Sequence, residues 1–307
     1  MSVEKVLLLY YHRVNDLIND FNLLCVNQEN FRQQMLFLKN NYEILRFEER
    51  WENHKEGVIV TFDDGYLDNL ENAVPILEEL DIPATIFVTT GNLYNQSEFW
   101  WDELEDILLV GEDSPKSFQL DDEIYACEWK TDTLSHRKNC YKSLHFLMKN
   151  CISIEKREKW LKILWRWKGK KSYAADEHMT LSDRHLRMLA MSDIITIGAH
   201  TVSHPSLARL SFEEQEKEII SSIKEIERIT NRKIDIFSYP FGRWKNDYNE
   251  ETLQICRTAG IKKAASTNPG VWKKNCNSLQ IPRNCVRNWN LFEFEAKIEE
   301  YWNGVDI

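Results

Sequence analysis

Two adjacent aspartates, Asp63 and Asp64, stand between the apolar run 58–60 and Gly65. A buried strand that ends in a glycine turn would present both carboxylates at its tip. One carboxylate of such a pair can bind a metal ion while the other accepts a proton from water. A solvated turn accounts for the same residues, because Asp and Gly are frequent in turns. Taken alone, the doublet leaves both interpretations open.

Two histidines, His200 and His204, follow a second apolar run at 194–199. In a helical turn, this i, i+4 spacing would place both rings on one face within reach of a common ion. Two histidines and one carboxylate also form a ligand set that leaves a catalytic zinc one open coordination position. Ordinary loop histidines are the alternative. The metal interpretation is favoured because both motifs end strand-like runs, and α/β folds place their sites there.

The runs that carry these motifs belong to an alternation of strands and helices. Strands are predicted at 6–11, 58–62, 84–89, 194–199, 234–239, 262–266 and 278–281. Amphipathic helices are predicted at 28–40, 69–80, 211–230 and 249–259. The third of these helices has the clearest signals, because Ser211 and Glu214 can form a capping box ahead of a stripe of isoleucines. The alternation predicts parallel β/α units.

Residues 97–190 interrupt this alternation and show few strand signals. Helices are predicted there at 137–150 and 154–168. The segment 155–171 carries eight basic residues interleaved with Trp160, Trp165 and Trp167. A solvated basic face over a packed helix is the favoured interpretation, since charge runs of this kind are usually surface. A transient peripheral contact with a membrane, or a contact with substrate phosphate, is the alternative.

The composition excludes several classes of protein. The chain has 307 residues, 43% of them hydrophobic, which is enough to build the core of one large or two small α/β domains. Its formal net charge of −10 argues against a nucleic-acid partner, which would normally require a basic surface. The seven cysteines are scattered and never form C-x-x-C, a pattern typical of reduced cytosolic proteins. No signal-like or membrane-spanning run is visible, so we expect a cytoplasmic location.

Three segments make the chain resemble the polysaccharide deacetylases of the NodB-homology family: 61–65, 200–205 and 239–242. A weaker fourth likeness, Leu-Tyr-Tyr-His-Arg-Val at 9–14, is similar to the first strand of the members that de-N-acetylate poly-N-acetylglucosamine, the branch closest in motif order. The resemblance implies an α/β fold, an irregular (β/α)₇ barrel, with its site at the carboxyl ends of the strands. It also leads us to expect one NodB-type domain over residues 1–307, with a helical insertion at 97–190.

The resemblance implies a role for each residue of the first two motifs. Asp64, His200 and His204 would hold a divalent metal ion, for which Zn²⁺ is expected and Co²⁺, Ni²⁺ and Mn²⁺ are alternatives. Such an ion lowers the pKa of a bound water from about 15.7 to about 7. Asp63 would then be the base that deprotonates the water.

The turn at 239–242 would supply the stabilisation of negative charge. Pro240 has no N–H and a fixed φ, and family members use the backbone N–H of the next residue, here Phe241, toward the tetrahedral oxyanion. One such donor is typically worth about 3 to 4 kcal/mol of transition-state stabilisation. Further contacts with the substrate are expected from Tyr66, Tyr239, Pro240 and Trp244.

The chain departs from the commonest family pattern in two places. Ser238 stands where many members have an arginine, two residues before the proline, and no histidine follows His204. The general acid is therefore expected to be His12, which resembles the histidine used in the poly-N-acetylglucosamine branch. Arg283 is expected to replace the missing arginine. A barrel-capping histidine and an ordinary salt-bridged arginine are the alternatives.

The predicted function is a metal-dependent N-deacetylase that hydrolyses the acetamide of an N-acetylated amino sugar. The sugar could be carried on a nucleotide, a lipid or a glycan, and the sequence leaves this choice and the oligomeric state open. Removal of a formyl group or hydrolysis of a cyclic amide on the same scaffold is a second enzyme hypothesis. A non-catalytic sugar-binding module is disfavoured, because the chain keeps all four residues needed to hold and use the metal.

Overall fold

The computed structural model describes residues 5–17, 19–51, 56–111, 114–122, 125–169 and 176–304. The strands are β1 (Lys5–Tyr11), β2 (Arg13–Val14), β3 (Cys25–Val26), β4 (Glu56–Phe62), β5 (Ala84–Val88), β6 (Ser117–Asp121), β7 (Ala126–Lys130), β8 (Ile195–Ala199), β9 (Ile236–Ser238), β10 (Lys263–Ala265), β11 (Trp272–Lys273) and β12 (Asn284–Cys285). The helices are α1 (Gln28–Asn41), α2 (Val74–Glu79), α3 (Trp100–Leu108), α4 (Leu134–Asn150), α5 (Ile154–Lys168), α6 (Asp183–Met191), α7 (Phe212–Thr230), α8 (Glu250–Thr258) and α9 (Leu291–Asn303). A π-helical turn, Asn69–Ala73, leads into α2.

The chain divides into two compact units, one formed by Met1–Gln96 with Thr180–Ile307 and the other by Ser97–Met179. In the first unit, neighbouring strands in the order β10–β9–β8–β5–β4–β1 are all parallel. β12 adds a seventh parallel strand beside β1, and β11 pairs with β1 in the antiparallel sense. Ala265 in β10 forms a parallel bridge with Ile281, just before β12. This bridge connects the two ends of the curled sheet. The predicted α/β fold, an irregular (β/α)₇ barrel, is confirmed.

The side chains of the strands alternate between two cores. Leu7, Val60 and other members of one set pack with the surrounding helices in a large outer core. Leu8, Ile59 and their equivalents on the other strands form a second core inside the barrel. Because successive strand residues point to opposite faces, the strands β1, β4, β5, β9 and β10 contribute to both cores. The same alternation decides which residues at the strand ends reach the interior of the barrel mouth.

The outer helices follow the predicted pattern most closely in α7. Ser211 accepts a hydrogen bond from the backbone N–H of Glu214, whose side chain accepts from the backbone of Ser211. This capping box satisfies backbone donors that the first turn would otherwise leave unpaired. The buried stripe of α7 includes Ile219, Ile223, Ile226 and Ile229. The predicted helix start and its apolar face are both confirmed.

Several elements differ from the sequence-based expectation. The strand predicted at 278–281 contributes only the bridge at Ile281, and a regular strand forms at β12 instead. Pro282 lies between them, and its missing N–H interrupts a hydrogen-bonded ladder. The helices α3, α6 and α9 and the hairpin β6–β7 were not predicted. No helix in the described part of the chain is long and apolar enough to cross a membrane. All seven cysteines are described, and each is a free thiol.

The second unit contains α3, α4, α5 and the antiparallel hairpin β6–β7. It ends at Met179, and α6 belongs to the first unit. A single domain with an insertion at 97–190 stays a prediction.

Helix α5 begins and ends where the sequence predicts, but its tryptophans do not form an exposed face. Trp160 is 2% exposed and its indole N–H donates to Asp122 at 2.7 Å, and Trp165 is 9% exposed and donates to Glu103. Exposed cations remain at Lys159, Lys162 and Arg166. Lys170 and Lys171 lie outside the described residues. Trp160 and Trp165 therefore belong to the core of their own unit, as the favoured interpretation expects, while Trp167 is half-buried. The peripheral membrane contact stays a prediction.

Candidate active site

The carboxyl ends of four parallel strands bring the predicted site residues together. His12, Asp63 and His200 each follow the end of a strand, β1, β4 and β8, while Ser238 is the last residue of β9. Just after β4, Asp63 continues the inward series begun by Ile59 and Thr61, at intervals of two residues. Strand alternation therefore directs Asp63 into the mouth of the barrel.

Three of these residues form a candidate metal centre. Asp64 Oδ1 lies 3.4 Å from His200 Nε2 and 3.2 Å from His204 Nε2. One ligand atom from each residue lies within 4.8 Å of the others, and all three residues are buried. Asp64 Oδ1 accepts no hydrogen bond in the structure, although buried carboxylate oxygens normally have a partner. The donor set and its geometry fit a divalent metal ion.

The tautomer of His200 suits a ligand. Its Nδ1 lies 2.7 Å from the backbone carbonyl oxygen of Ser238. Because a carbonyl only accepts, Nδ1 carries the proton, and Nε2 keeps its lone pair for the centre. Burial by itself would raise the pKa of Asp64, but the contacts with His200 and His204 outweigh it and hold that pKa well below its usual range. Asp64 is therefore an anion in this site.

The loop that carries the second histidine is not helical, which corrects the helical-turn interpretation of the i, i+4 spacing. Thr201 and His204 have left-handed backbones, with φ of 67° and 53°. Asp64 and Phe241 are also left-handed, with φ of 75° and 59°. Residues other than glycine adopt this conformation rarely and at an energetic cost, often at functional sites. Two tight loops, and not a helix face, therefore bring the ligand atoms together.

Arg283 holds the other carboxylate of the doublet. Its two terminal nitrogens donate to the two oxygens of Asp63 at 2.8 and 2.6 Å. Its remaining donors reach Thr61 Oγ1, Ser238 Oγ and the carbonyl oxygen of Ser266 at 2.8 to 3.0 Å. The guanidinium is fully buried, and all five of its N–H groups are used. Burial alone would raise the pKa of Asp63, but the charge of Arg283 outweighs it and lowers that pKa.

Ser238 therefore helps to hold Arg283, the residue that the sequence suggested as a replacement for the missing arginine. It stands where many family members have an arginine, and in this chain it accepts a hydrogen bond from Arg283, which arrives from a distant segment. Thr61 plays a matching part on the other side of the guanidinium. Sequence reasoning missed both acceptors. The signal that could have found Thr61 is its spacing, two residues before Asp63 on the same strand face.

His12 follows the end of β1 and is half-buried. Its ring makes an edge contact with Tyr10, with ring centroids 5.6 Å apart. Burial lowers the pKa of His12, and the charges of Asp64 and Asp63 act in the opposite direction. The structure thus brings His12 into the electrostatic field of both aspartates.

The turn after β9 presents Phe241 to the centre. Its ring packs edge-on against His204, with centroids 4.8 Å apart. Gly242 has φ of 68°, and a Cβ there would lie 2.7 Å from the backbone nitrogen of Thr267. Thr267 also donates its backbone N–H to the Gly242 carbonyl at 2.9 Å. Glycine is therefore required at 242 to close the turn that positions Phe241.

The predicted substrate contacts divide into two groups. Tyr66 and Tyr239 are fully buried, against the prediction that their rings contact substrate. Tyr66 lies under the guanidinium of Arg13, and Tyr239 stacks on Tyr248 with ring centroids 3.9 Å apart. Tyr239 belongs to the outer core because its neighbour Ser238 takes the inward position. Pro240 is also buried and acts through the turn, and Trp244, which is half-buried, keeps part of its surface open.

Comparison with known proteins agrees with this arrangement. A family model described as "Polysaccharide deacetylase" matches residues 51–114 and 163–264, which together make up more than half of the chain. The chain belongs to the polysaccharide deacetylase family. Membership of this family supports a hydrolytic deacetylase. The resemblance inferred from the motifs is confirmed.

Individual polysaccharide deacetylases and related folds resemble this chain along most of its length. A Bacillus subtilis protein, named "Putative polysaccharide deacetylase YxkH", is 24% identical over 287 residues, which cover 91% of this chain and 70% of the relative. The structure of the Streptococcus pyogenes deacetylase PplD in complex with acetate has a TM-score of 0.62 and 21% identity, covering 96% of this chain and 98% of that one. The structure of IcaB from Ammonifex degensii has a TM-score of 0.60 and 16% identity, covering 97% of each chain. At these identities the solved structures support the fold.

Proposed function

We propose that this member of the family is a metal-dependent N-deacetylase acting on an N-acetylated amino sugar. Asp64, His200 and His204 would hold the ion, with Zn²⁺ as the expected metal. When bound, the ion would lower the pKa of a coordinated water to about 7 and polarise the acetamide carbonyl. One observation supports this function most directly. Asp64 Oδ1, 3.2 to 3.4 Å from two histidine nitrogens, is next in sequence to a carboxylate held by a fully buried arginine.

Asp63 is proposed to accept the proton of the attacking water. Its lowered pKa keeps it ionised at neutral pH, so that it is available as a base. Arg283 occupies one direction at each of its oxygens, and a carboxylate oxygen has a second lone pair for the water. Arg283 would therefore orient Asp63 without taking part in proton transfer.

His12 is proposed to donate a proton to the departing amine. Burial disfavours its charged form and lowers its pKa. A lower pKa makes protonated His12 a stronger acid, while the nearby carboxylates Asp63 and Asp64 favour its protonation. The backbone N–H of Phe241 is proposed to donate to the oxyanion, because the left-handed turn holds that residue beside His204.

The proposed substrate is an N-acetylated sugar on a nucleotide, a lipid or a glycan, and Trp244 is proposed to contact it. Aromatic side chains with a free face are suited to packing on the apolar faces of sugar rings. A cytoplasmic location and a peripheral membrane contact through 155–171 stay predictions. The second rests on the exposed cations Lys159, Lys162 and Arg166 and on half-buried Trp167, because Trp160 and Trp165 are buried.

Acetate release is the test of this function. The protein is stripped of metal with a chelator, reloaded separately with Zn²⁺, Co²⁺, Ni²⁺ or Mn²⁺, and supplied with UDP-linked, polyprenyl-linked and polymeric N-acetylated sugars. We expect metal-dependent acetate release from one of these classes, and release slowed by about 10²- to 10⁴-fold in the Asp63→Asn variant. Formate release from N-formyl sugars at a higher kcat/KM would instead favour the deformylase hypothesis. Tight sugar binding without hydrolysis, in the metal-loaded protein, would favour a binding module.

A further inference from the structure

The loop His200–His204 is held from two sides. On the strand side, the three residues that follow β5 supply donors to three successive carbonyl oxygens. Thr89 Oγ1 donates to His200 at 3.2 Å, and the backbone N–H groups of Thr90 and Gly91 donate to Thr201 and Val202 at 3.1 and 2.8 Å. A Cβ on Gly91 would lie 2.5 Å from the Val202 oxygen, so glycine permits this close approach. These bonds satisfy the carbonyl side of the loop.

On the opposite side, one carboxylate from α7 accepts three hydrogen bonds from the loop. Glu218 Oε2 accepts the backbone N–H groups of Val202 and Ser203, both at 2.9 Å. Glu218 Oε1 accepts the hydroxyl of Ser203 at 2.7 Å. Val202 and Ser203 are the two residues enclosed by left-handed Thr201 and His204. Successive N–H groups that converge in this way form a concave site suited to an anion.

We propose that Glu218 is a positioning residue for the metal centre, acting on His200 and His204 through the backbone between them. This inference rests on the proposed function, because it assumes that the two histidines bind a metal ion. Glu218 is too far along the chain to belong to the family motif at 200–205, and it contacts neither the ion nor the substrate in this scheme. Its contribution is to hold Val202 and Ser203 in the conformation that directs both imidazoles toward Asp64.

The physical basis is the cost of the left-handed conformation at Thr201 and His204. A loop that contains two such residues tends to relax unless its surroundings hold it. The strand side constrains the carbonyl groups, but without Glu218 the N–H groups of Val202 and Ser203 would lose their carboxylate acceptor. Hydrogen bonds to an ionised group are stronger than those between neutral groups. Relaxation of the loop would separate His204 from His200 and weaken the affinity for metal.

Zinc affinity of the full chain tests this role. Wild type, Glu218→Gln and Ser203→Ala are stripped of metal, and the Kd for Zn²⁺ is measured by competition with a chromogenic chelator. Glu216→Gln is the matched control, since Glu216 is an exposed carboxylate on the same helix. Loss of a partner that orients a ligand typically weakens metal affinity by about 10- to 100-fold, and we expect a loss in that range for Glu218→Gln. Ser203→Ala should lose several-fold, and Glu216→Gln should match wild type.

Turnover separates positioning from chemistry. At saturating Zn²⁺, Glu218→Gln should recover most of the wild-type kcat, because its defect lies in holding the ion. A Kd for Glu218→Gln within twofold of wild type would overturn the inference while leaving the proposed function intact. If Glu218→Gln does not fold, as judged by circular dichroism, Ser203→Ala decides, and an unchanged Kd for that variant would overturn the inference. Absence of zinc binding by wild type would overturn the proposed metal centre itself.

Discussion

The two carboxylates of the doublet are neighbours in sequence, yet they lie in different surroundings. Asp63 is paired with the buried guanidinium of Arg283, and every N–H group of this guanidinium donates a hydrogen bond within the protein. Asp64 faces the imidazoles of His200 and His204, and its Oδ1 accepts no hydrogen bond. The difference shows how one residue type can serve two roles. A fixed cation keeps Asp63 ionised and oriented, whereas two ring nitrogens leave Asp64 able to bind a metal ion.

The backbone creates this difference. Asp63 continues the extended strand β4 and points into the barrel, whereas Asp64 turns left-handed with φ of 75°. The backbone carbonyl of Asp64 accepts the N–H of Thr89 at 3.0 Å, which ties the turn to β5 beside the histidine loop. The left-handed turn at Asp64 thus goes with different partners for the two adjacent side chains.

The largest expected effects come from exchanging the two roles. Asp64→Ala should lose both bound metal and activity, because it removes a ligand. Asp63→Asn should keep the metal and lose about 10²- to 10⁴-fold in rate, the usual contribution of a general base. Metal content of the purified variants by mass spectrometry, together with acetate release, checks both. A metal-free Asp63→Asn beside a metal-loaded Asp64→Ala would reverse the assignment.

The charges of Asp63 and Asp64 both act on the pKa of His12, and His12→Ala tests the proposed role of this residue as the general acid. If His12 is the general acid, kcat should fall by about 10²- to 10⁴-fold with metal content unchanged. The basic limb of the pH–rate profile should change, because that limb reports loss of the proton that the acid must donate. Turnover close to wild type on the true substrate would eliminate His12 and direct the search to other proton donors at the barrel mouth.

Arg283→Ala removes the cation that distinguishes the surroundings of Asp63 from those of Asp64. Removing one partner of a buried ion pair typically costs about 3 to 5 kcal/mol of unfolding free energy, measurable by urea denaturation. The largest influence that opposes burial would then be lost, so the pKa of Asp63 should rise and the acidic limb of the pH–rate profile should move to higher pH. Arg283→Lys keeps the charge without the paired donors and should lie between the two. If the acidic limb of Arg283→Ala does not move, titration of Asp63 does not determine that limb.

The smallest effects are expected from two variants that compare the outer core with the barrel mouth. Tyr239→Phe removes a hydroxyl that donates to the Leu279 carbonyl at 2.9 Å, and it should cost about 1 kcal/mol of stability with KM unchanged. Trp244→Ala should raise KM with little change in stability, because its ring is half-buried beside the turn. Thermal unfolding and Michaelis parameters for both variants give the contrast. A raised KM in Tyr239→Phe would restore Tyr239 as a substrate contact.

Much of the fold and the candidate metal ligands could be predicted from the sequence. The alternation of apolar runs predicted the parallel strands that carry Asp63 and His200, and the Ser211 capping box predicted the start of α7. These signals are local, because strand periodicity and helix capping depend on residues a few positions apart. The family motifs then indicated which carboxylates and imidazoles would meet.

Other features were decided only by the tertiary structure. The sequence suggested Arg283 as a substitute for the missing arginine, but its contact with Asp63 joins residues 220 positions apart. The burial of Tyr239 depended on which face of β9 turned inward, and the left-handed conformation of His204 depended on bonds from β5 and α7. Periodicity shows that neighbouring residues take opposite faces without showing which face lines the barrel. That choice, and the backbone strain of the site, are set by packing between distant segments, which stabilises conformations that local sequence does not favour.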